Sequence, residues 1–109
     1  MARSEFCPRY HHAVELLGRR WNGAILRAML AGRARYAEIR GAVPGLSDTL
    51  LSQRLDELER EGIIERRVLP ESPVRVEYHL TEKGAALELA VGAISDWAEE
   101  WLPLPADAA

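Results

Sequence analysis

The chain has 109 residues, of which 48% are hydrophobic and 28% are charged, and its formal net charge is −3 at pH 7. This length fits one domain with one hydrophobic core and argues against a two-domain enzyme, while the weak negative charge argues against a protein that binds nucleic acid by bulk cationic attraction. One cysteine cannot form an internal disulfide, and no apolar run reaches the length of a membrane span or a signal peptide, so we expect a cytoplasmic protein without membrane contact.

Charge is distributed unevenly along the chain. The formal charge is +5 in residues 1–40, −3 in residues 41–80 and −5 in residues 81–109. A basic front and an acidic tail are typical of a protein with one anion-facing side, although chance produces the same distribution.

Apolar residues at helical spacing predict three helices before residue 46. The first covers about residues 8–17 with Gly18 as its stop, the second ends at Gly32, and the third is closed by a turn at Pro44 and Gly45. The apolar stripes are Tyr10, Ala13, Val14 and Leu17 in the first helix, Trp21, Ala24, Ile25, Ala28 and Met29 in the second, and Tyr36, Ile39 and Val43 in the third.

A fourth helix is predicted over residues 47–62, SDTLLSQRLDELEREG, with Ser47 as its N-cap. Leu51, Leu55 and Leu58 share one face, which we expect to be buried. The opposite side carries Thr49, Gln53, Asp56 and Arg60, with Ser52 on its flank, and the acidic residues Asp56, Glu57, Glu59 and Glu61 all lie in the later turns. Carboxylates would be repelled by DNA phosphates, so this asymmetry suits a helix that approaches DNA by its first turns. An ordinary solvent-exposed face is the alternative.

The next segment predicts a β-hairpin followed by a last helix. IIERRVL and VRVEYHL flank a connector with two prolines, and the second segment alternates apolar and polar residues. Thr81 is expected to cap a long helix over residues 82–101, and residues 103–109 form a tail. The last helix carries an apolar stripe at steps of four and three, formed by Leu87, Val91, Ile94, Ala98 and Trp101.

This order of elements predicts a mainly α fold with a small β-hairpin wing, a winged helix-turn-helix domain over residues 1–102. The fourth helix would enter the DNA major groove, where Thr49, Ser52 and Gln53 can meet base edges and Arg54 a phosphate. The hairpin arginines Arg66, Arg67 and Arg75 would grip the DNA backbone. The same fold also serves as a protein-binding module without DNA, and that alternative stays open.

Several separated segments resemble the HxlR family of bacterial winged-helix transcriptional regulators over residues 6–98. They are a CP pair near the start, LLGRRWNGAILRAML, RYAEIRGAVPGLSDTLLSQRLDELEREGIIER and PVRVEYHLTEKG. The resemblance implies a homodimer, built from the first and last helices, that binds a pseudo-palindromic operator and is expected to repress. It also implies DNA contacts from Ser47, Thr49, Ser52, Gln53, Arg54 and Arg75. Family members commonly carry Lys or Arg at the position of Thr49, so the phosphate or guanine contact of that cation does not carry over to this chain.

The last helix supports a dimer independently, because Trp97 and Trp101 would leave a large apolar patch exposed unless a second subunit covered it. Closure of the chain's own core by these two residues is the alternative. The predicted interface comprises Tyr10, Val14, Leu87, Val91, Ile94, Trp97 and Trp101. At this seam Trp21, Trp97 and Trp101 would line a cavity for a small-molecule effector.

Cys7 lies at the start of the first helix beside basic residues, a setting that favours the reactive thiolate. It is a candidate for redox or electrophile sensing, as in some relatives with a cysteine at this position, and simple packing under the dimer partner is the alternative. Cys7, His11 and Glu15 step by four, which is too weak a pattern to predict a metal site. No nucleophile motif or phosphate-binding loop is present, so we expect neither an enzyme nor a cofactor.

Overall fold

A computed structural model of the chain describes residues 5–104. Within this range the fold is helical with one two-stranded antiparallel hairpin, as predicted. In chain order the elements are α1 (Pro8–Gly18), α2 (Asn22–Leu30), α3 (Tyr36–Ala42), α4 (Asp48–Arg60), β1 (Ile64–Leu69), β2 (Arg75–Leu80), α5 (Glu82–Ala85) and α6 (Glu88–Trp101). None of these helices is long and apolar enough to cross a membrane. Most of the predicted tail, residues 105–109, lies outside the described range.

The hydrophobic core lies between α2, α3, α4 and the base of the hairpin. Its fully buried apolar residues are Ile25, Leu26, Ile39, Leu51, Leu55, Leu58, Ile63 and Ile64. Neither α1 nor α6 contributes a fully buried residue, although Leu16, Leu17 and Leu87 pack half-buried against the edge of the core. These two helices therefore flank the domain and keep apolar side chains at its surface.

Helix α4 is capped at both ends, by a side chain at its start and by the backbone at its end. Ser47 caps it as predicted, because its Oγ accepts a hydrogen bond from the N–H of Leu50 at 3.2 Å, an interaction that typically contributes about 1 kcal/mol. At the other end Gly62 has a φ of 75°, and the N–H of Ile63 bonds back to the oxygen of Leu58 at 3.0 Å. The helix thus has a defined start and stop, with one face against the core and the other in solvent.

The hairpin is joined to the segment that leads into α3. β1 and β2 pair from Ile64 opposite Leu80 to Leu69 opposite Arg75. On the outer side of β2, the N–H of Tyr78 donates to the oxygen of Ala34 at 2.7 Å. Together with the isolated β-bridge between Arg35 and Glu77, this bond fixes the wing relative to α3.

The helix predicted over residues 82–101 differs in the structure, which divides it into α5 and α6 with a turn at Ala86 and Leu87. Thr81 does act as a cap, but of α5, since its Oγ1 accepts from the N–H of Gly84 at 3.2 Å. Gly84 sits so close to the oxygen of Ile63 that a Cβ there would lie 2.1 Å from it. The chain therefore turns against the base of the hairpin before α6 begins.

Candidate nucleic-acid interface

The outward face of α4 presents uncharged polar side chains in its first turns. Thr49, Ser52 and Gln53 are all exposed, on the side opposite the buried Leu51 and Leu55. A glutamine amide carries both a donor and an acceptor, which match N6 and N7 of adenine. The structure thus brings the three predicted base-contacting residues together on one open surface.

Ser47 lies at the tip of the same helix, but its hydroxyl oxygen is already used by the N-cap bond to Leu50. Its hydroxyl proton can still be donated outward, and the first backbone N–H groups of α4 point the same way. This arrangement suits a phosphate oxygen better than a base.

A polar network between α3 and α4 was missed in the sequence, where Tyr36 was assigned to an apolar stripe. The hydroxyl of Tyr36 donates to the backbone oxygen of Asp48 at 2.9 Å, and it lies 3.3 Å from Oδ1 of Asp48 and 3.3 Å from Oγ of Ser52. Oδ1 of Asp48 also pairs with Nε of Arg40 at 2.9 Å. The start of α4 is therefore tied to α3 at the surface.

Arg54 does not share the outward face of α4. Its Nε donates to the backbone oxygen of Arg20 at 2.8 Å, and its Nη1 lies 3.2 Å from Oε1 of Glu57. The Arg54 side chain is 12% exposed. These contacts orient its guanidinium toward the connection between α1 and α2, so the structure does not favour the predicted phosphate contact.

Two acidic residues at the end of α4, Glu57 and the C-cap residue Glu61, contact α1 and its C-cap residue Arg19. Glu57 pairs with Nε of Arg19 at 3.2 Å, in addition to its contact with Arg54. Glu61 receives both of its carboxylate contacts from Nε2 of His12, at 3.0 and 3.1 Å. The acidic end is therefore partly an internal docking surface rather than a purely solvated face.

The wing arginines lie on two different faces of the hairpin. Arg66 is opposite Tyr78 and Arg67 is opposite Glu77, and adjacent residues of a strand point to opposite sides. Arg67 forms an ion pair with Glu65 on its own strand. The three predicted wing contacts therefore cannot all meet DNA through one face.

Arg75 and Arg67 share the hairpin face that carries Glu77. Nε of Arg75 lies 3.0 Å from Oε2 of Glu77, an ion pair that lacks hydrogen-bond alignment, and Nε2 of His79 lies 2.8 Å from Oε1 of the same carboxylate. The hydrogen bond from His79, together with the positive charge of Arg75, lowers the pKa of Glu77. Any phosphate contact by Arg75 must compete with this carboxylate.

Cys7 is exposed and occupies the N-cap position of α1, where its backbone oxygen accepts from the N–H of His11 at 2.9 Å. His11 in turn pairs with Glu15 at 2.9 Å, and its ring lies 5.4 Å from that of Phe6. Among residues 5–104 no group of three or more His, Cys, Asp or Glu side chains is arranged to hold a metal ion.

Exposed apolar side chains lie on both α1 and α6. Trp97 is 56% and Trp101 65% exposed, and Tyr10, Val14 and Ile94 are exposed as well. These two tryptophans therefore do not close the chain's own core. Leu87 and Val91, which were predicted in the same interface, are half-buried, and Leu87 packs against the core of its own chain.

The predicted effector cavity is not formed within the described part of one chain. Trp21 precedes α2 and packs at the turn between α3 and α4, where its ring comes within 3.4 Å of a Cβ placed on Gly45. Helix α6 instead borders the far end of α2, near Arg27 and Leu30. Trp21 therefore lies apart from the stretch of α2 that α6 lines.

Comparisons with known proteins agree with this architecture. A model of the HxlR-like helix-turn-helix family matches residues 16–105. YvaP, an HTH-type transcriptional regulator of Bacillus subtilis, is 51% identical over 102 residues, which cover 94% of each chain. The oxidised form of the redox regulator HypR has a TM-score of 0.81 at 34% identity, over 90% of this chain and 100% of HypR.

The B. subtilis transcriptional regulator YodB is similar in two chemical states. Its reduced form has a TM-score of 0.80 at 44% identity, over 89% of this chain and 95% of YodB. Its quinone-bound form has a TM-score of 0.76 at 41% identity, over 88% of this chain and 100% of YodB.

Proposed function

The chain belongs to the HxlR-like helix-turn-helix family, and we propose that it represses transcription as a homodimer bound to a pseudo-palindromic operator. Relatives in this family are transcriptional regulators rather than enzymes. Helix α4 enters the major groove and the hairpin lies against the adjacent backbone. A dimer that occupies two successive major-groove segments excludes other proteins from the same stretch of promoter.

The main support for this proposal is that the start and the end of α4 carry different side chains. Its exposed first turns offer Thr49, Ser52 and Gln53, whereas near its end Glu57 pairs with Arg19 and Arg54 and Glu61 contacts the ring of His12. A helix that enters the groove by its N-terminus thus brings hydrogen-bonding groups to the bases and keeps these carboxylates away from phosphate.

Selection of duplexes from a random pool tests the DNA-binding proposal. Gln53→Ala should weaken binding to the selected duplex by about 1–3 kcal/mol while binding to random duplex changes little. Asp56→Ala is the matched control, since Asp56 is exposed on the same helix one turn on, and it should keep sequence discrimination. If the protein retained no duplex even at low salt, the winged helix would be a protein-binding module instead.

The homodimer is supported by the exposed apolar side chains of α1 and of α6. Trp97, Trp101 and Ile94 are each more than half exposed, and burial of such side chains stabilises by about 1.5–3 kcal/mol each. Sedimentation should therefore give twice the chain mass. Ile94→Lys should shift the protein toward monomer, whereas Arg66→Lys on the wing should not.

We propose further that Cys7 makes DNA binding sensitive to thiol-reactive compounds. Two similar proteins support this proposal: YodB has structures in a reduced and a quinone-bound state, and HypR has a structure in an oxidised state. Cys7 is exposed at the start of α1, and α1 contacts α4 through His12 and Arg19. A quinone or diamide should change operator affinity in the wild type and not in Cys7→Ser.

A further inference from the structure

We infer that Tyr36 fixes the Ser52 hydroxyl as a hydrogen-bond acceptor toward DNA, so that each operator half-site carries a base with a major-groove amino group opposite Ser52. This inference rests on the proposed entry of α4 into the groove. Ser52 is exposed on α4, and Tyr36 reaches it from the start of α3 at 3.3 Å.

Counting protons assigns the direction of this contact. Asp48 offers Tyr36 two acceptors, its backbone oxygen at 2.9 Å and its carboxylate at 3.3 Å. The single hydroxyl proton of Tyr36 is therefore used on Asp48. The Tyr36 oxygen can then only accept from Ser52, and the one proton of Ser52 points inward, away from the groove.

The usual alternative for a helical serine is donation to the backbone oxygen four residues earlier. For Ser52 that oxygen belongs to Asp48. It already accepts the helical N–H of Ser52 and the Tyr36 hydroxyl, which use both of its lone pairs. This leaves Tyr36 as the inward partner of the Ser52 hydroxyl.

An outward-facing oxygen without a proton discriminates among bases. Adenine N6 and cytosine N4 are amino donors in the major groove, whereas guanine and thymine present only acceptors there. A phosphate oxygen is likewise an unsuitable partner. One hydrogen bond corresponds to about three- to tenfold discrimination, so adenine or cytosine should be preferred by that factor at the position facing Ser52.

The test is duplex selection with the full-length protein and four variants. Ser52→Ala identifies the base position that Ser52 reads, because the preference there is lost. Tyr36→Phe keeps the ring and removes only the hydroxyl, which frees the Ser52 proton, and guanine and thymine should then be accepted at the same position. The double variant should match Ser52→Ala. Tyr78→Phe, which removes the hydroxyl of another half-buried tyrosine packed on the core, should leave the selected sequence unchanged.

Every base pair carries one base with a major-groove amino group, so the strand that Ser52 faces is identified by replacing adenine with purine, or cytosine with pyrimidin-2-one, at the selected pair. The inference is overturned if this loss of the amino group weakens wild-type binding no more than it weakens binding by Ser52→Ala. It is also overturned if Ser52→Ala changes no position, or if Tyr36→Phe selects the same base as wild type while unfolding at the same urea concentration. If Gln53→Ala still alters the selected sequence in these cases, DNA reading by α4 stands without a role for Tyr36. A wild type that enriches no duplex removes the proposed function as well.

Discussion

Arg54 is predicted to stabilise the fold rather than to bind DNA. Its side chain is 12% exposed, and its guanidinium reaches the backbone oxygen of Arg20 and the carboxylate of Glu57. Hydrogen bonds that involve a charged group contribute about 1.5–3 kcal/mol. Arg54→Ala also leaves Glu57 with Arg19 as its remaining partner, whose side chain is largely exposed. We therefore expect a loss of about 2–3 kcal/mol in the free energy of unfolding.

Urea unfolding at one fixed protein concentration measures this loss, because dimer stability depends on concentration. With a denaturant slope of about 2 kcal/mol per molar, the midpoint should fall by roughly 1 M. Arg66→Ala, an exposed arginine on the wing, is the control and should change stability by less than about 0.5 kcal/mol.

Salt dependence of DNA binding separates the two roles of arginine. Each lost phosphate contact lowers the slope of log affinity against log salt by about 0.9. Arg54→Ala should leave this slope unchanged once the protein is folded. Unchanged stability combined with a slope reduced by about one would refute the reasoning and show that Arg54 leaves Glu57 to bind phosphate.

Three further changes follow from contacts near the interface. Asp48→Asn removes the carboxylate that pairs with Arg40 and so frees this arginine to contact a DNA phosphate. Affinity for random duplex, measured by fluorescence anisotropy, should then rise, and its dependence on salt should steepen. An unchanged salt slope would count against phosphate binding by Arg40. Gly84→Ala places a Cβ 2.1 Å from the oxygen of Ile63, so the free energy of unfolding in urea should fall by about 1–3 kcal/mol or more. Gly41→Ala in α3 is the control, because a Cβ there meets nothing within 4 Å. It should be neutral or stabilising by up to about 1 kcal/mol. Because the pKa of Glu77 is lowered in the fold, its contribution to stability is complete above the ordinary glutamate pKa of about 4.3 and is lost as the pH falls through the lower native value. The protection factors of the β2 amides, that is, their exchange rates relative to the intrinsic rate at the same pH, should therefore fall at acid pH in the wild type and fall less in Glu77→Gln. An equal pH dependence of the protection factors in both proteins would contradict this assignment.

The spacing of apolar residues and the residues that cap helices or form turns were sufficient to predict most of the fold. The leucine spacing of α4 and the Ser47 cap gave the inward face and the start of that helix, because both depend on local geometry. The alternation in β2 likewise gave the wing. The break between α5 and α6 was not predicted. Beside it, Gly84 packs against Ile63, a residue 21 positions earlier, and local sequence patterns do not encode such a tertiary contact.

Side-chain roles in the candidate site were harder to predict than its location. Thr49, Ser52 and Gln53 could be assigned to one surface from the helical period alone. The long side chain of Arg54 turned inward because a backbone oxygen at Arg20 was within reach, and no sequence pattern encodes that distance. Tyr36 was read as apolar, although its hydroxyl reaches Asp48, twelve residues later.

Hydroxyl-radical footprinting on a selected duplex tests the central claim most directly, namely that two copies of the chain place their α4 helices in successive major-groove segments. The account predicts two protected backbone regions on one face of the duplex, centred one helical turn or about 34 Å apart, and loss of both with Ile94→Lys at concentrations where that variant is monomeric. A single protected region, or protection that follows no helical repeat, would contradict it.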